Sequence, residues 1–252
     1  MGINYTPKII TDGLKICLDA GNSLCYSGSG SSMVDLTANN NTGSLINSPG
    51  FSSLNKGSIS FDGTNDYLDT PLTYGGTNQC SYGCWMKAPD AAQKCGLIGF
   101  RSQFVFNAPE ITQTLIYITG DNDAGTTGKG IVCQDWYAGY ISGSFTFFNN
   151  RTVYALNTIV CNNQWHYIVV SRSSASTKLF VDNILVGETS GSIPSIKSDP
   201  IFKVGVAGNG DSDNLAGYYF TGNIALVHFY NRALSNNEVA QNYNANKGRF
   251  NL

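Results

Sequence analysis

The chain has 252 residues, with 15 Lys plus Arg against 17 Asp plus Glu, and only 13% of residues are charged. That balance cannot neutralise nucleic-acid phosphates, while 42% hydrophobic and 12% aromatic residues exclude a disordered chain. Abundant Gly, Asn, Ser and Thr beside only three glutamates weigh against a helical protein and toward short strands joined by turns.

The N-terminus, MGINYTPKIITDG, lacks a basic start followed by an apolar run, so no secretory signal is expected. Met1-Gly2 followed by Thr6 fits a myristoylation pattern, but no polybasic second signal accompanies it. Residues 13–19 (GLKICLD) predict a strand with Leu14, Ile16 and Leu18 on one face, and residues 22–47 a polar loop with at most brief strands. In GSISFDGTNDYLDT (57–70), Ile59 and Phe61 share a face and Asp62-Gly63 is turn chemistry. Strands follow at 80–88, 96–100 and 114–119, the last running into the polar loop GDNDAGTTGKG (120–130), and two more are expected between 140 and 160. QWHYIVVSR (164–172) precedes the clearest hairpin, in which Lys178 to Val181 and Ile184 to Gly187 flank Asp182-Asn183. Residues 202–208 and 222–231 complete the series. No segment reaches the roughly 18 apolar residues of a membrane span, and no membrane partner is expected.

One helix is signalled. Ser235 with Glu238 makes a capping box, Leu234 and Val239 have hydrophobic-staple spacing, and Gly248 after Lys247 predicts the stop. About 12 residues is marginal alone, so Val239 and Tyr243 must dock on the sheets. Many short strands without alternating helices predict an all-β, two-sheet antiparallel sandwich or jelly roll, six or seven strands per sheet, with one short C-terminal helix. No linker or change of composition divides residues 1–252, so a single domain is expected, residues 1–11 forming an N-terminal arm.

The seven cysteines, Cys17, Cys25, Cys80, Cys84, Cys95, Cys133 and Cys161, have irregular spacing and form no C-x-x-C pair. Neither His166 nor His228 has a Cys nearby, so reduced, half-buried thiols are expected rather than zinc or disulfides. Both histidines and Trp85 and Trp165 sit in strand patterns, which predicts packing roles.

Three stretches carry a family likeness: DGLKICLDAGN through SISFDGTNDYLDT (12–70), NNQWHYIVVSRSSASTKLFVDNILVGET (162–189) and FTGNIALVHFYNRALSNNEVAQNYNANKGRF (220–250). Together they resemble the LamG-like jelly-roll group of the concanavalin A-like lectin/glucanase superfamily. Asn183 stands where that group usually has Gly, and residues 89–150 match no part of it. The DAGN…FDGTNDY…YNRALS style also resembles single-domain proteins of tailed bacteriophages. That resemblance implies a virion component, a capsid decoration or tail-fibre protein made in the bacterial host cytoplasm, with other virion proteins as partners in a symmetric assembly.

The residues that catalysis would need are missing. The glucanase branch implies two carboxyl groups about 5 Å apart from an E-x-D-x-(x)-E run, and none of Glu110, Glu188 and Glu238 has an acid two places away. No G-x-S-x-G elbow accompanies the histidines. The expectation is therefore no enzyme and no required cofactor. Calcium is the metal the resemblance leaves room for, at Asp121 and Asp123 with Asn122, and at Asp211 and Asp213 with Asn214, where paired carboxylates supply hard oxygens. For glycans, QDWYAGY (134–140) offers an aromatic platform of Trp136, Tyr137 and Tyr140, with Gln134 and Asp135 to bond hydroxyls, because flanking Gly and polar residues interrupt the strand pattern. A free carbohydrate-binding module and, more remotely, a degenerate glycan hydrolase are the rival readings.

Overall fold

The structure, a computed structural model, describes residues 8–73, 79–101, 111–118, 129–141, 144–192, 201–207 and 218–252, and side chains throughout these except at 101, 111–112, 136–141 and 144–149. Seventeen strands lie in it: β1 (Leu14–Asp19), β2 (Ser32–Met33), β3 (Gly43–Ile46), β4 (Gly50–Ser52), β5 (Ser58–Asp62), β6 (Tyr67–Thr73), β7 (Cys80–Lys87), β8 (Cys95–Arg101), β9 (Ile111–Ile118), β10 (Ile131–Ile141), β11 (Ser144–Asn150), β12 (Val153–Ala155), β13 (Trp165–Arg172), β14 (Ser176–Val181), β15 (Ile184–Ser190), β16 (Ile201–Val204) and β17 (Thr221–Tyr230). Helix α1 (Asn236–Asn246) follows. One sheet runs β15-β14-β13-β7-β17-β5-β4, with β1 also paired to β17; the other runs β11-β10-β9-β8-β16-β6-β3-β2, with β12 paired to β10. These are eight and nine strands, more than the six or seven expected: the polar stretch 22–47 yields β2 and β3 in the second sheet, and the three-residue β4 adds one to the first.

The hairpin forms as its turn chemistry dictates. Val181 pairs with Ile184, and Asp182 (φ 51°) and Asn183 (φ 70°) both take the left-handed conformation that matches strand twist. At β1 the expectation fails in one detail. A bulge between Leu14 and Ile16 leaves Ile16 and Leu18 in the core between the sheets and turns Leu14 to the opposite side.

Between the sheets, Phe202 packs against Phe100 at 5.0 Å and Phe229 at 5.6 Å, while Tyr82 bonds Thr114 Oγ1 across the sandwich at 2.8 Å. A second cluster covers the outer face of the first sheet, under α1. There Trp85 stacks on Tyr167, Tyr243 and Phe250 with centroids 5.2, 5.5 and 4.3 Å apart, and Leu234 and Val239 pack in with them. Each such aromatic pair adds about 1 kcal/mol beyond its burial. Both tryptophans are thus packed as expected, Trp165 also donating to Asn55 Oδ1. The sheet beneath α1 is therefore buried on both faces, and in β7 every residue from Cys80 to Met86 is buried.

The capping box is intact: Glu238 N donates to Ser235 Oγ, and Ser235 N to Glu238 Oε2 at 2.8 Å. Arg232 grips the same carboxylate in a fork and holds the Glu238 carboxyl down to about 2. The stop differs from expectation. After Asn246 the chain tightens into a 3₁₀ turn through Gly248, and Asn251 (φ 62°) takes the left-handed position instead. At the other terminus, Ile10 N donates to Asn242 Oδ1 and Gln241 Nε2 to Lys8 O, tying residues 8–10 to α1.

All seven cysteines are free and fully buried rather than half-buried. Burial pushes Cys17 up to about 12 and Cys25 to about 11, with the Asp19 and Asp35 carboxylates adding to the effect. Native protein is therefore expected to leave Ellman's reagent colourless near about pH 8, where a thiol must ionise to react. All seven thiols should react once urea unfolds the chain; rapid labelling of folded protein would contradict this burial.

Candidate functional site

QDWYAGY, the candidate glycan platform, does not interrupt its strand. It lies inside β10, an unbroken strand of eleven residues paired with β9 on one side and β11 and β12 on the other. Alternation then separates its polar residues. Asp135 follows Ile131 and Cys133 onto the inner face and is 0% exposed.

There Asp135 Oδ1 accepts from Arg172 Nε at 2.9 Å on β13, and Oδ2 from Arg151 Nη2 at 3.0 Å and from Thr177 Oγ1 on β14. Arg151, just after β11, also donates to the carbonyls of Ser173 and Gly191. Burial works against both guanidiniums and Asp135 offsets it; Arg151 ends below its ordinary value and Arg172 above. Asp135 is thus a buried tie between the sheets, and its expected role as a sugar hydrogen-bonder is corrected: neither oxygen faces solvent. Gln134 points to the other face, where Gln113 Nε2 donates to its Oε1 at 2.5 Å. Trp136 stands opposite Gln113 in register. The side chains of Trp136, Tyr137 and Tyr140 lie outside the described residues, as do Asp121, Asp123, Asp211 and Asp213 altogether. Among the described residues, no group of three or more His, Cys, Asp or Glu could hold a metal ion.

The described carboxylates all have structural partners. Asp12 pairs with Arg232, Asp19 with Arg249, Asp69 with Lys203, Asp90 with Lys129 and Glu188 with Lys178. Asp35 organises its loop by accepting from the backbone of Cys17, Thr37 and Asn41, and Asp182 accepts from Tyr167 N and bonds His166 Nδ1. Asp62 and Asp66 share one turn. Thr64 N–H holds Asp62 low, burial pushes Asp66 up, and Asp66 Oδ2 accepts from Asp62 N. Opposed shifts of this kind are what an acid–base pair needs, but here the bonds close a turn on itself.

The loops at the sandwich ends and edges carry open, polar clefts. One of about 560 Å³ lies between Asp19, Asn22, Lys56, Asn244 and Arg249. Arg249 spans it, bonding Asp19 Oδ1 at 2.7 Å and the carbonyls of Asn55 and Gly57 at 2.6 and 2.5 Å. Another, of about 490 Å³, is bounded by Tyr26, Phe51 and Gly28 to Ser31. Tyr26 lies in the stretch that reads as polar loop and Phe51 just beyond it; two aromatics flanking a Gly/Ser tract are the signal the sequence offers for this cleft.

Solved structures with this architecture include domain 4 of AbnA, a GH43 extracellular arabinanase from Geobacillus stearothermophilus, in complex with arabinotriose. It aligns over 91% of this chain and 98% of its own, with a TM-score of 0.61 at 16% identity. The binding domain of Paraclostridial Mosquitocidal Protein 1 aligns over 92% of this chain (TM-score 0.57, 12% identity), and Trypanosoma rangeli sialidase in complex with sialic acid over 96% (TM-score 0.62, 12% identity). This chain spans 52% of the former and 34% of the latter. At such identities the likeness is one of fold. No curated protein matches the sequence. The family model Laminin_G_3, described as concanavalin A-like lectin/glucanases superfamily, matches residues 62–240. With well over half of its length matched, the chain belongs to that laminin-G-like family of the concanavalin A-like lectin/glucanase superfamily.

Proposed function

We propose that the chain is a non-catalytic adhesion module that holds glycans on the loops and outer face of its sandwich, as a capsid decoration or tail-fibre component of a tailed bacteriophage. The observation that carries the non-catalytic half is the state of the acids. The described carboxylates sit beside a cation, a backbone N–H or a turn, the loosest being Asp69, whose Oδ1 lies 3.8 Å from Lys203 Nζ without a hydrogen bond, and Glu188, 4.0 Å from Lys178, whereas glycoside hydrolysis needs two carboxyl groups free to face one bond. A fold neighbour of nearly the same length in complex with arabinotriose supports the glycan class. The virion half rests on the likeness of the DAGN, FDGTNDY and YNRALS stretches to phage proteins.

Gln134, Trp136, Tyr137 and Tyr140 remain the proposed platform on β10, and Asp121, Asp123, Asp211 and Asp213 the proposed calcium ligands. The same arabinotriose-bound neighbour favours the alternative of a carbohydrate-binding module working outside any particle. An immobilised-glycan panel probed with the full chain, with and without EDTA, is expected to retain a defined subset of glycans; retention of none overturns the glycan reading. Loss on EDTA treatment would tie retention to calcium. Peptides of the chain in purified virions distinguish the virion assignment from the free module.

A further inference from the structure

We infer that the cleft between Tyr26, Phe51 and the loop from Gly28 to Ser31 is a subsite for an uncharged sugar ring, an inference that rests on the glycan-binding reading above and adds a second place for the ligand, at the opposite edge of the second sheet from the β10 platform. The cleft opens where the two sheets come to an edge together. β4, which carries Phe51, ends one sheet, and β2, into which the Gly/Ser loop runs, ends the other.

Its chemistry is that of a sugar site. Phe51 is 37% exposed on a strand edge, and buried Tyr26 fixes its ring from behind at 5.5 Å with a 58° tilt. Tyr26 is itself fixed by donating its hydroxyl to Gly30 O at 2.9 Å. Gly28 (φ 92°) brings bare backbone against the ring edge, so close that a Cβ there would sit 3.3 Å from Phe51 Cε1. The lip bears serines, Ser29, Ser31 and Ser48, and the lining includes no carboxylate, Lys or Arg. An aromatic face beside hydroxyls and backbone, held rigid before binding, suits the apolar C–H face and hydroxyl rim of a neutral sugar. An anionic sugar would find no counter-charge.

The lip is also strained. Asn47 (φ 64°) and Ser48 (φ 69°) are consecutive non-glycine residues in the left-handed region, where a serine is strained. Glycine would remove that strain at position 48. A serine there keeps a hydroxyl on the lip, as a sugar-binding edge requires. The larger cleft at Arg249 lacks this logic: its arginine is saturated by its own loops, and no aromatic side chain lines it.

The test uses the full chain, arabinotriose and the neutral glycans of an immobilised panel, with sialylated and sulfated glycans alongside. Wild type should retain neutral members. Phe51→Leu, which keeps apolar bulk but loses the π face, should weaken retention about tenfold at an unchanged melting temperature, and Phe51→Trp should preserve it. Ser48→Gly should weaken retention a few-fold while leaving the fold as stable or more so. If wild type binds neutral glycans and Phe51→Leu binds equally well, this subsite is wrong and the glycan-binding role stands. If wild type prefers the acidic glycans, the neutral-ligand assignment fails; if it retains nothing, the functional reading fails first and takes the subsite with it.

Discussion

Asp135→Asn is expected to lower unfolding stability by about 3–5 kcal/mol, read as a large drop in the urea midpoint at unchanged slope. The substitution keeps the shape of the side chain and removes only its charge. Two guanidiniums, Arg151 and Arg172, then lose the carboxylate they share in a place no water reaches, both being at most 2% exposed. Thr177 Oγ1 loses its charged acceptor as well. Because Arg172 and Thr177 belong to the first sheet and Asp135 to the second, the penalty falls on the contact between layers. A companion, Asp135→Leu with both Arg151→Met and Arg172→Met, should recover part of the loss, since an apolar replacement of the whole buried triad avoids leaving a charge behind. Asp135→Asn within about 0.5 kcal/mol of wild type would show that the network carries little of the fold.

This residue also marks the boundary of what the sequence discloses. Features decided within a few residues were legible: Asp182-Asn183 makes its hairpin because both residues tolerate positive φ, and Ser235 with Glu238 caps α1 because the two groups are three residues apart. Asp135 depends on partners 16, 37 and 42 residues away. A charged residue near glycines in a strand reads as surface unless those partners are known to cross the sandwich. The second cluster was half legible. Trp85 and Trp165 read as packed, but only α1 laid over the first sheet explains why β7 is buried on both faces. The bulge at β1, which sends Leu14 to the α1 side, leaves no mark in the pattern of Leu14, Ile16 and Leu18. Of the candidate site, Gln134 keeps an outward position, whereas the Tyr26 and Phe51 cleft arises from two segments that meet only through sheet order.

Stability is expected to fall by about 3 kcal/mol as pH drops from about 6.5 to about 4, and His228 is the cause. Its ring is 1% exposed on β17, directly across from Cys17 on β1 and Gly83 on β7, and neither Nδ1 nor Nε2 has a hydrogen-bond partner. Burial pushes the imidazole down to about 4, with Asp19 acting weakly the other way. Below its ordinary value of about 6.5 the unfolded chain takes a proton that the folded chain refuses, so the unfolded state gains as pH falls. Above 6.5 neither state is charged and the penalty is absent. His228→Leu should flatten this window and also raise stability at neutral pH by about 1–3 kcal/mol, because two buried, unpaired nitrogens disappear. His166 is retained in that variant, so the difference between the two pH profiles belongs to His228 alone. Glu238 marks the next window down. Its carboxyl, held to about 2, contributes stability above about 4.5 that is lost between there and about 2, and Glu238→Gln should remove that lower step without touching the upper one. Equal pH dependence of wild type and His228→Leu between about 6.5 and 4 would mean that the imidazole finds a partner or water in solution, and that the outer face of the first sheet is less tightly closed than its packing against α1 implies.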